Sequence, residues 1–461
     1  MLAHLTSKVM TDITSLSANQ LAALIRSQSV SPVEVVNAYL ERIAELNPSL
    51  NAIVTLNPQL IEQARDAEAR LMNGEKVGPL HGVPITIKDT IDTAGLKTTS
   101  GSRLRADHVP AFDAPAVARL RKAGALILGK TNTAEMAMDY TADNPLFGRT
   151  NNPHDASLTP GGSSGGEAAA IAAQLSAGGL GTDLAGSIRI PAHFCGIAGL
   201  KPGCGRVPAE GEFPESGGPY SLGSVVGPMA RNVADLRLLF KVLSATDSDI
   251  APLSSLRVAW YAHDGVVPVT SETRSAVAAA AQALSDAGAL VEERRPPGVE
   301  RGLDLWLKIF SRATVVFLHE QYDGREAEAG PFIRWRLATA DDRPPPTLDQ
   351  YIRDWMERDR LREALLQWME TTPLLICPVG ATPAYPHEAH KVTVDGQTFN
   401  TFRSFSYSQT FNVYDLPSVS IPAGRSPEGL PIGVQIVGRP GAELTVLAAA
   451  EIVEQKLSGK L

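Results

Sequence analysis

Three short stretches hold side chains whose types and spacing could do acyl-transfer chemistry: "GVPITIKD" (82–89), "TPGGSSGGEAAAIAA" (159–173) and "GTDLAGSIRIPAHFCGIAGLKP" (181–202). In the second, Gly161, Ser163 and Gly165 satisfy G-x-S-x-G, the pattern of a nucleophile elbow. An elbow needs a strand directly before it, whereas the preceding "NPHDASLTP" is turn chemistry without apolar alternation, so the pattern alone does not make Ser163 the attacking group. A phosphate loop is excluded as well, because neither GxxxxGK[ST] nor GxGxxG occurs there. In the third, Gly181, Ala185, Gly186 and Ser187 form a small-residue turn. Such a turn lets successive backbone N–H groups point into one space, as an oxyanion hole requires, and it places Ser187 to attack. In the first, an apolar strand ends on Lys88 and Asp89. Taken alone, a lysine there is more simply explained by pairing with a carboxylate than by catalysis.

The elements that must position these groups read as α/β. "SPVEVVNAYLERIAEL" opens with Ser31 as N-cap, Pro32 at the first helical position and Glu34 closing a capping box, so residues 1–75 are expected to be helical. "HGVPITIKDTI" and "GALILGK" are short β-rich runs around the helical "APAVARLRKAG". The same alternation returns in "LRVAWYA", "SETRSAVAAAAQALSDAG" and "ALVEE", and then in "LLICPVG", "PSVSIPAG" and "IGVQIVG" before a last helix from about Glu443. One large sheet can collect all of these strands. Residues 296–373 break the pattern, with two helix-like stretches flanking "EAEAGPFIRWRLATADDRPPP"; this helical excursion is either packing or a cover over the active site.

The 461 residues, 44% hydrophobic and 20% charged, are ordinary globular usage with ample length for a large core. A net charge of -8 without any run of Lys or Arg argues against nucleic acid. Cys195, Cys204 and Cys377 are widely spaced and lack CxxC, which suggests neither a disulfide framework nor a thiolate metal site. His387 and His390 lie in the polar, loop-like "AYPHEAHKVTV", and no HExxH occurs, so no metal is expected. The N-terminus lacks the apolar core of a signal peptide and nowhere do 18 apolar residues run together. A cytoplasmic protein without membrane insertion is the expectation.

Taken together, "GVPITIKD", "GKTNTAEMA", "TPGGSSGGEAAA" and "GTDLAGSIRIPAHFCGIAGLKP", in this order, resemble the amidase signature family of Ser-cis-Ser-Lys amide hydrolases. The likeness is concentrated in residues 80–233, and Lys88 lies 75 positions before Ser163, which lies 24 before Ser187. The resemblance implies one amidase domain over 1–461: a large mixed, mostly parallel β-sheet covered by helices on both faces. It implies that Ser187 is the acylated nucleophile, Ser163 a bridging serine on a cis peptide and Lys88 the neutral base. Gly161 and Gly162 would give the backbone the freedom for that turn, with Ser164 in support. Asp183 and Arg189 would hold the nucleophile turn, and the backbone N–H groups of Leu184, Ala185, Gly186 and Ser187 would form the oxyanion hole. Asp89 would oppose a neutral Lys88 if it faced it, so its carboxylate is expected to turn into loop hydrogen bonds. Neither metal nor organic cofactor is implied, and a homodimer is left open.

The substrate is read from departures. The nucleophile turn is "GTDLAGSIRIP" where amidotransferase subunits of the family are closer to GSDTGGSIRQP, and Leu184, Ala185 and Ile190 make this version more apolar. Met136, Met138, Tyr140 and Phe147, the loop "EGEFPESGGPYSLGS", and Trp306, Phe310 and Trp335 add apolar or aromatic candidates, with Met136, Tyr140 and Ile190 foremost as substrate contacts. The reading is an amidase for small-molecule amides with an apolar or aryl portion, extending to esters and carbamates (urethanes). The alternatives are the glutaminase subunit of a tRNA-dependent amidotransferase, and a non-enzymatic binding or scaffold homologue.

Overall fold

The computed structural model describes residues 13–245, 256–340 and 345–459. The first twelve residues of the expected N-terminal helical region and 341–344 of the excursion lie outside them. The Ser31 cap forms as the sequence dictates: Ser31 Oγ accepts the Glu34 N–H at 3.1 Å, Glu34 accepts the Ser31 N–H at 2.7 Å, and Pro32–Leu50 is helical. The region that follows is not wholly helical. Ile53–Leu56 is a strand, too short to show a period in sequence, and it pairs antiparallel as an edge with Leu126–Thr131.

In chain order the strands are β1 (Ile53–Leu56), β2 (Pro84–Lys88), β3 (Leu126–Thr131), β4 (Gly178–Asp183), β5 (Ala198–Lys201), β6 (Val225–Ala230), β7 (Arg257–Trp260), β8 (Leu290–Glu293), β9 (Leu374–Pro378), β10 (Lys391–Val394), β11 (Gln397–Asn400), β12 (Ser418–Arg425) and β13 (Pro431–Gly438). Eleven form one sheet, ordered β1-β3-β2-β4-β6-β5-β12-β13-β9-β7-β8. Every residue of β2, β3, β4, β6, β9 and β13 is buried, which fits a sheet covered by helices on both faces. The large mixed α/β sheet is as expected, but less parallel than the resemblance implied. Parallel pairing is confined to β3-β2-β4 near one edge and β9-β7-β8 at the other, and the remaining neighbours are antiparallel. The reason is local: β12 returns directly into β13 through a short turn, with no helix to carry a parallel crossover.

Two further differences concern the cover. Among the described residues the excursion contains three α-helices, Gly302–Tyr322, Pro331–Ala338 and Leu348–Trp368, the middle one starting with Pro331 at its first turn inside the stretch read as a connection. "HKVTVDGQTFN" is a hairpin of β10 and β11 rather than a loop, turned by Asp395 and Gly396 at φ 48° and 71°. Among the described residues no helix is long and apolar enough to cross a membrane.

Candidate active site

β2 and β4 run parallel, Thr86 opposite Gly179 and Ile87 opposite Leu180, so their C-terminal ends deliver Lys88 and Asp183 to one side of the sheet. The buried helix Gly165–Ala172 starts against the same edge, and the Gly162–Ser163 peptide before it is cis. A Cβ at Gly162 would fall on the Thr141 carbonyl oxygen, so only glycine fits there. Lys88 Nζ donates to Ser163 Oγ at 2.7 Å and to Thr182 Oγ1 at 2.8 Å. The Ser164 N–H donates to the Ser187 carbonyl at 3.2 Å, which ties the serine-rich turn to the turn after β4. Ser164 Oγ and the Thr182 backbone exchange two further contacts at 3.3 Å. No hydrogen bond joins the Ser163 and Ser187 hydroxyls. Ser163 is fully buried, whereas Ser187 keeps 6% of its surface exposed.

Burial drives the Lys88 ammonium down from 10.5 to about 7, against the opposing charges of Glu212, Asp183 and Glu167. Asp89 is not among the opposing charges. Its Oδ2 accepts the Thr99 N–H at 3.1 Å and the Thr99 hydroxyl, and burial, partly offset by Lys130, raises its carboxyl to about 6.

The turn after β4 is organised around one carboxylate. Asp183 Oδ1 accepts from the Gly186 N–H at 2.8 Å, Arg189 Nη2 at 2.9 Å and Asn412 Nδ2 at 2.9 Å; Oδ2 accepts from the Ile188 N–H at 3.1 Å and Arg189 Nε at 3.0 Å. Burial alone would raise this carboxyl, but Arg189 and Asn412 outweigh it and hold Asp183 down to about 2. Arg189 spends its remaining donors on Gln435 Oε1 at 2.9 Å and Asn412 Oδ1 at 2.6 Å. The expected set of four backbone donors is thereby reduced. The Gly186 N–H is occupied by Asp183, leaving those of Leu184, Ala185 and Ser187 without an acceptor among the described residues. Gly186 sits at φ 107°, and a Cβ there would lie 2.6 Å from Ile190 Cδ1.

Two aromatic donors grip this turn from outside. Tyr140 Oη donates to the Ala185 carbonyl at 2.8 Å while accepting from Gln409 Nε2 at 2.8 Å, and Trp306 Nε1 donates to the Leu184 carbonyl at 2.9 Å. Tyr140 stacks on Phe402 and meets Phe405 edge-on, and Trp306 leans on Phe402 and Phe310. Tyr140, Ala185, Ile190, Trp306 and Phe310 share one apolar cluster. Met136 does not join it. A left-handed backbone at φ 55° turns Met136 under the excursion, against Leu318, Tyr322 and Ile333. Trp335 also lies elsewhere, 56% exposed. Glu212, Thr182, Gln409, Asn412 and Gln435 escaped the sequence reading; each makes contacts set by tertiary structure and leaves no local period or motif. Replacing Tyr140 by Phe removes one hydrogen bond of about 1 kcal/mol from the turn, and kcat is expected to fall roughly fivefold with KM little changed; steady-state kinetics checks this.

The family model Amidase matches residues 34–447. The indoleacetamide hydrolase of Bradyrhizobium diazoefficiens is 33% identical over 95% of this chain and 86% of its own length. A glutamyl-tRNA(Gln) amidotransferase subunit of Thermus thermophilus is 34% identical over 95% of this chain and 96% of its own. Among solved structures, a bacterial aryl acylamidase of the amidase signature enzymes superposes with a TM-score of 0.84 at 27% identity, covering 96% of both chains. Family model, relatives and fold agree over nearly the whole length, and the chain belongs to the amidase signature family of amide-hydrolysing enzymes.

Proposed function

We propose that this enzyme cleaves the C–N bond of small amides carrying an apolar or aryl portion, through an acyl-enzyme on Ser187, with ester and carbamate cleavage by the same acyl chemistry. The observation that carries this is the Lys88–Ser163 hydrogen bond at 2.7 Å, made by a lysine whose pKa burial brings to about 7, beside a serine turn with three unspent N–H donors. Ser187 Oγ attacks the carbonyl carbon as its proton passes to Ser163 and the Ser163 proton passes to Lys88. The N–H groups of Leu184, Ala185 and Ser187 hold the oxyanion. As the C–N bond breaks, the Lys88 ammonium returns its proton through Ser163 to the leaving nitrogen. Water then attacks the ester with the same base, freeing acid and serine.

A preference for an apolar or aryl portion is supported by the wall of Tyr140, Ile190, Trp306 and Phe310 and by the indoleacetamide hydrolase and aryl acylamidase relatives. Trp306 reaches the Leu184 carbonyl from the helix Gly302–Tyr322, so residues 296–373 act as the cover of this site. We place the enzyme in the cytoplasm. The amidotransferase relatives support a second reading, release of ammonia from glutamine.

The test is hydrolysis of an anilide, an aryl carbamate, a primary amide and glutamine by the purified chain across pH 5–10. Faster cleavage of anilide or carbamate than of glutamine is expected. Because Lys88 must be neutral, kcat/KM should rise with pH through a midpoint near 7 and level off above it. Glutamine-only activity, or none until partner proteins are added, would overturn the free-standing reading.

A further inference from the structure

Behind Lys88 lies a carboxylate that the steps above do not use. Glu212 belongs to the loop between β5 and β6 and is 6% exposed. A bridge to Ile91 and the Phe213 N–H bond to the Thr90 carbonyl at 2.8 Å hold it against the end of β2. Ser216 Oγ donates to Glu212 Oε2 at 2.9 Å, and Ser224 Oγ to the same oxygen at 3.4 Å. Thr182 acts on both Glu212 and Lys88. Its hydroxyl oxygen accepts from Lys88 Nζ at 2.8 Å, so its own proton is free for a carboxylate, and that hydroxyl favours the ionised form of Glu212.

Three carboxylates face Lys88: Glu212, Asp183 and Glu167. Asp183 is spent on Arg189 and the turn. Glu167, on the helix Gly165–Ala172, has one oxygen on the Thr86 hydroxyl and the other on Thr131 Oγ1 at 2.7 Å, and the leading charge it faces is Lys130. For Glu212 the leading charge is Lys88 itself.

We infer that Glu212 is a positioning residue which, through Thr182, aims the Lys88 amine at Ser163 and stabilises the ammonium that forms when Lys88 takes up the serine proton. The inference rests on the acyl-enzyme reading above. Burial supports it from both sides: it lowers Lys88 to about 7 and raises Glu212 to about 7, each opposed by the attraction of the other. Glu212 so placed does for a lysine base what a buried carboxylate does for a catalytic histidine.

The test follows Ser187 labelling by an alkyl fluorophosphonate against pH, in wild type, Glu212→Gln, Glu212→Leu and Glu212→Asp. In this probe reaction the serine O–P bond forms, the P–F bond breaks, fluoride leaves, and the proton goes to Lys88. Without the Glu212 charge, Lys88 loses an attraction that favoured its ammonium. The midpoint of the acid limb is therefore expected to fall by about one pH unit in the Gln and Leu variants. The plateau rate should fall about tenfold, because the base is weaker. Glu212→Asp, which keeps the charge, should restore both in part. Glu212→Leu presents no unpaired amide and supplies the answer if Glu212→Gln does not fold. A labelled wild type with unmoved midpoint and plateau in the folded neutral variants overturns the role of Glu212 alone. An unlabelled wild type overturns the acyl-enzyme reading and this inference with it.

Discussion

Ser187→Ala is expected to reduce kcat by at least about 10⁴-fold on every substrate the enzyme accepts, while leaving its thermal midpoint within a few degrees of wild type. The loss is chemical, because the Thr182 hydroxyl is engaged by Lys88 Nζ and Ser163 is fully buried under Lys88. The stability is retained because, among the described residues, the Ser187 hydroxyl makes no hydrogen bond that alanine would break. The turn is held instead by its backbone: the Ser187 carbonyl accepts from Ser164, and the Gly186 and Ile188 N–H groups are fixed by Asp183. Anilide hydrolysis, a melting curve and loss of fluorophosphonate labelling give three readouts on one protein. A Ser187→Ala enzyme that still hydrolyses at the wild-type rate would sink the mechanism.

Much of the candidate site was legible because its parts lie in contiguous stretches where local chemistry is explicit. The small residues of 181–187 announce a backbone turn, and the Asp183–Arg189 pair spans six positions, short enough to be seen beside it. The glycines of 161–166 are legible as a turn, but the reason for them is steric: Gly162 and Gly166 pass against the backbones of Thr141 and Asn132. What could not be read was long-range. Asn412 and Gln435 reach Arg189 across more than 200 residues, from a helix and a strand whose sequences show nothing unusual. Glu212 reads as a loop acid among other loop acids, and only the bridge to Ile91 turns it inward. Met136, beside the motifs, and Trp335, in the excursion, show the converse: both were apolar candidates for the site, but Met136 packs under the excursion and Trp335 faces out.

The fold divides in the same way. Of the strands buried along their whole length, β2, β3, β9 and β13 stood out as apolar runs, whereas β4, rich in glycine, and β6 did not, and the direction of pairing could not be read. Pairing direction depends on what connects two strands, and at the centre of this sheet β12 and β13 run antiparallel because a short turn, with no crossover helix, joins them. The β10–β11 hairpin did carry a local signal, Asp395-Gly396 between alternating residues, and it was outweighed by the polar composition around it.

Asp183→Ala is expected to be the most destabilising change in the site. It leaves the guanidinium of Arg189 fully buried with only neutral partners, Asn412 and Gln435, and removing one member of a buried pair typically costs about 3–5 kcal/mol. It also frees the Gly186 and Ile188 N–H groups, so the nucleophile turn loses its anchor and activity falls with stability. Urea titration should show the midpoint displaced. Asp183→Asn, which retains a hydrogen-bond acceptor, should fall between alanine and wild type. A double variant that also converts Arg189 to Met should recover part of the loss by removing the orphaned charge. Wild type carries a pH signature of the same interaction. The Asp183 carboxyl sits at about 2 when folded and at an ordinary 3.8 otherwise, so its contribution is present above pH 4 and is lost as pH falls through about 2. That shift corresponds to roughly 2 kcal/mol, and its absence from the difference between wild-type and Asp183→Asn urea curves over this window would mean that Arg189 is not held by Asp183.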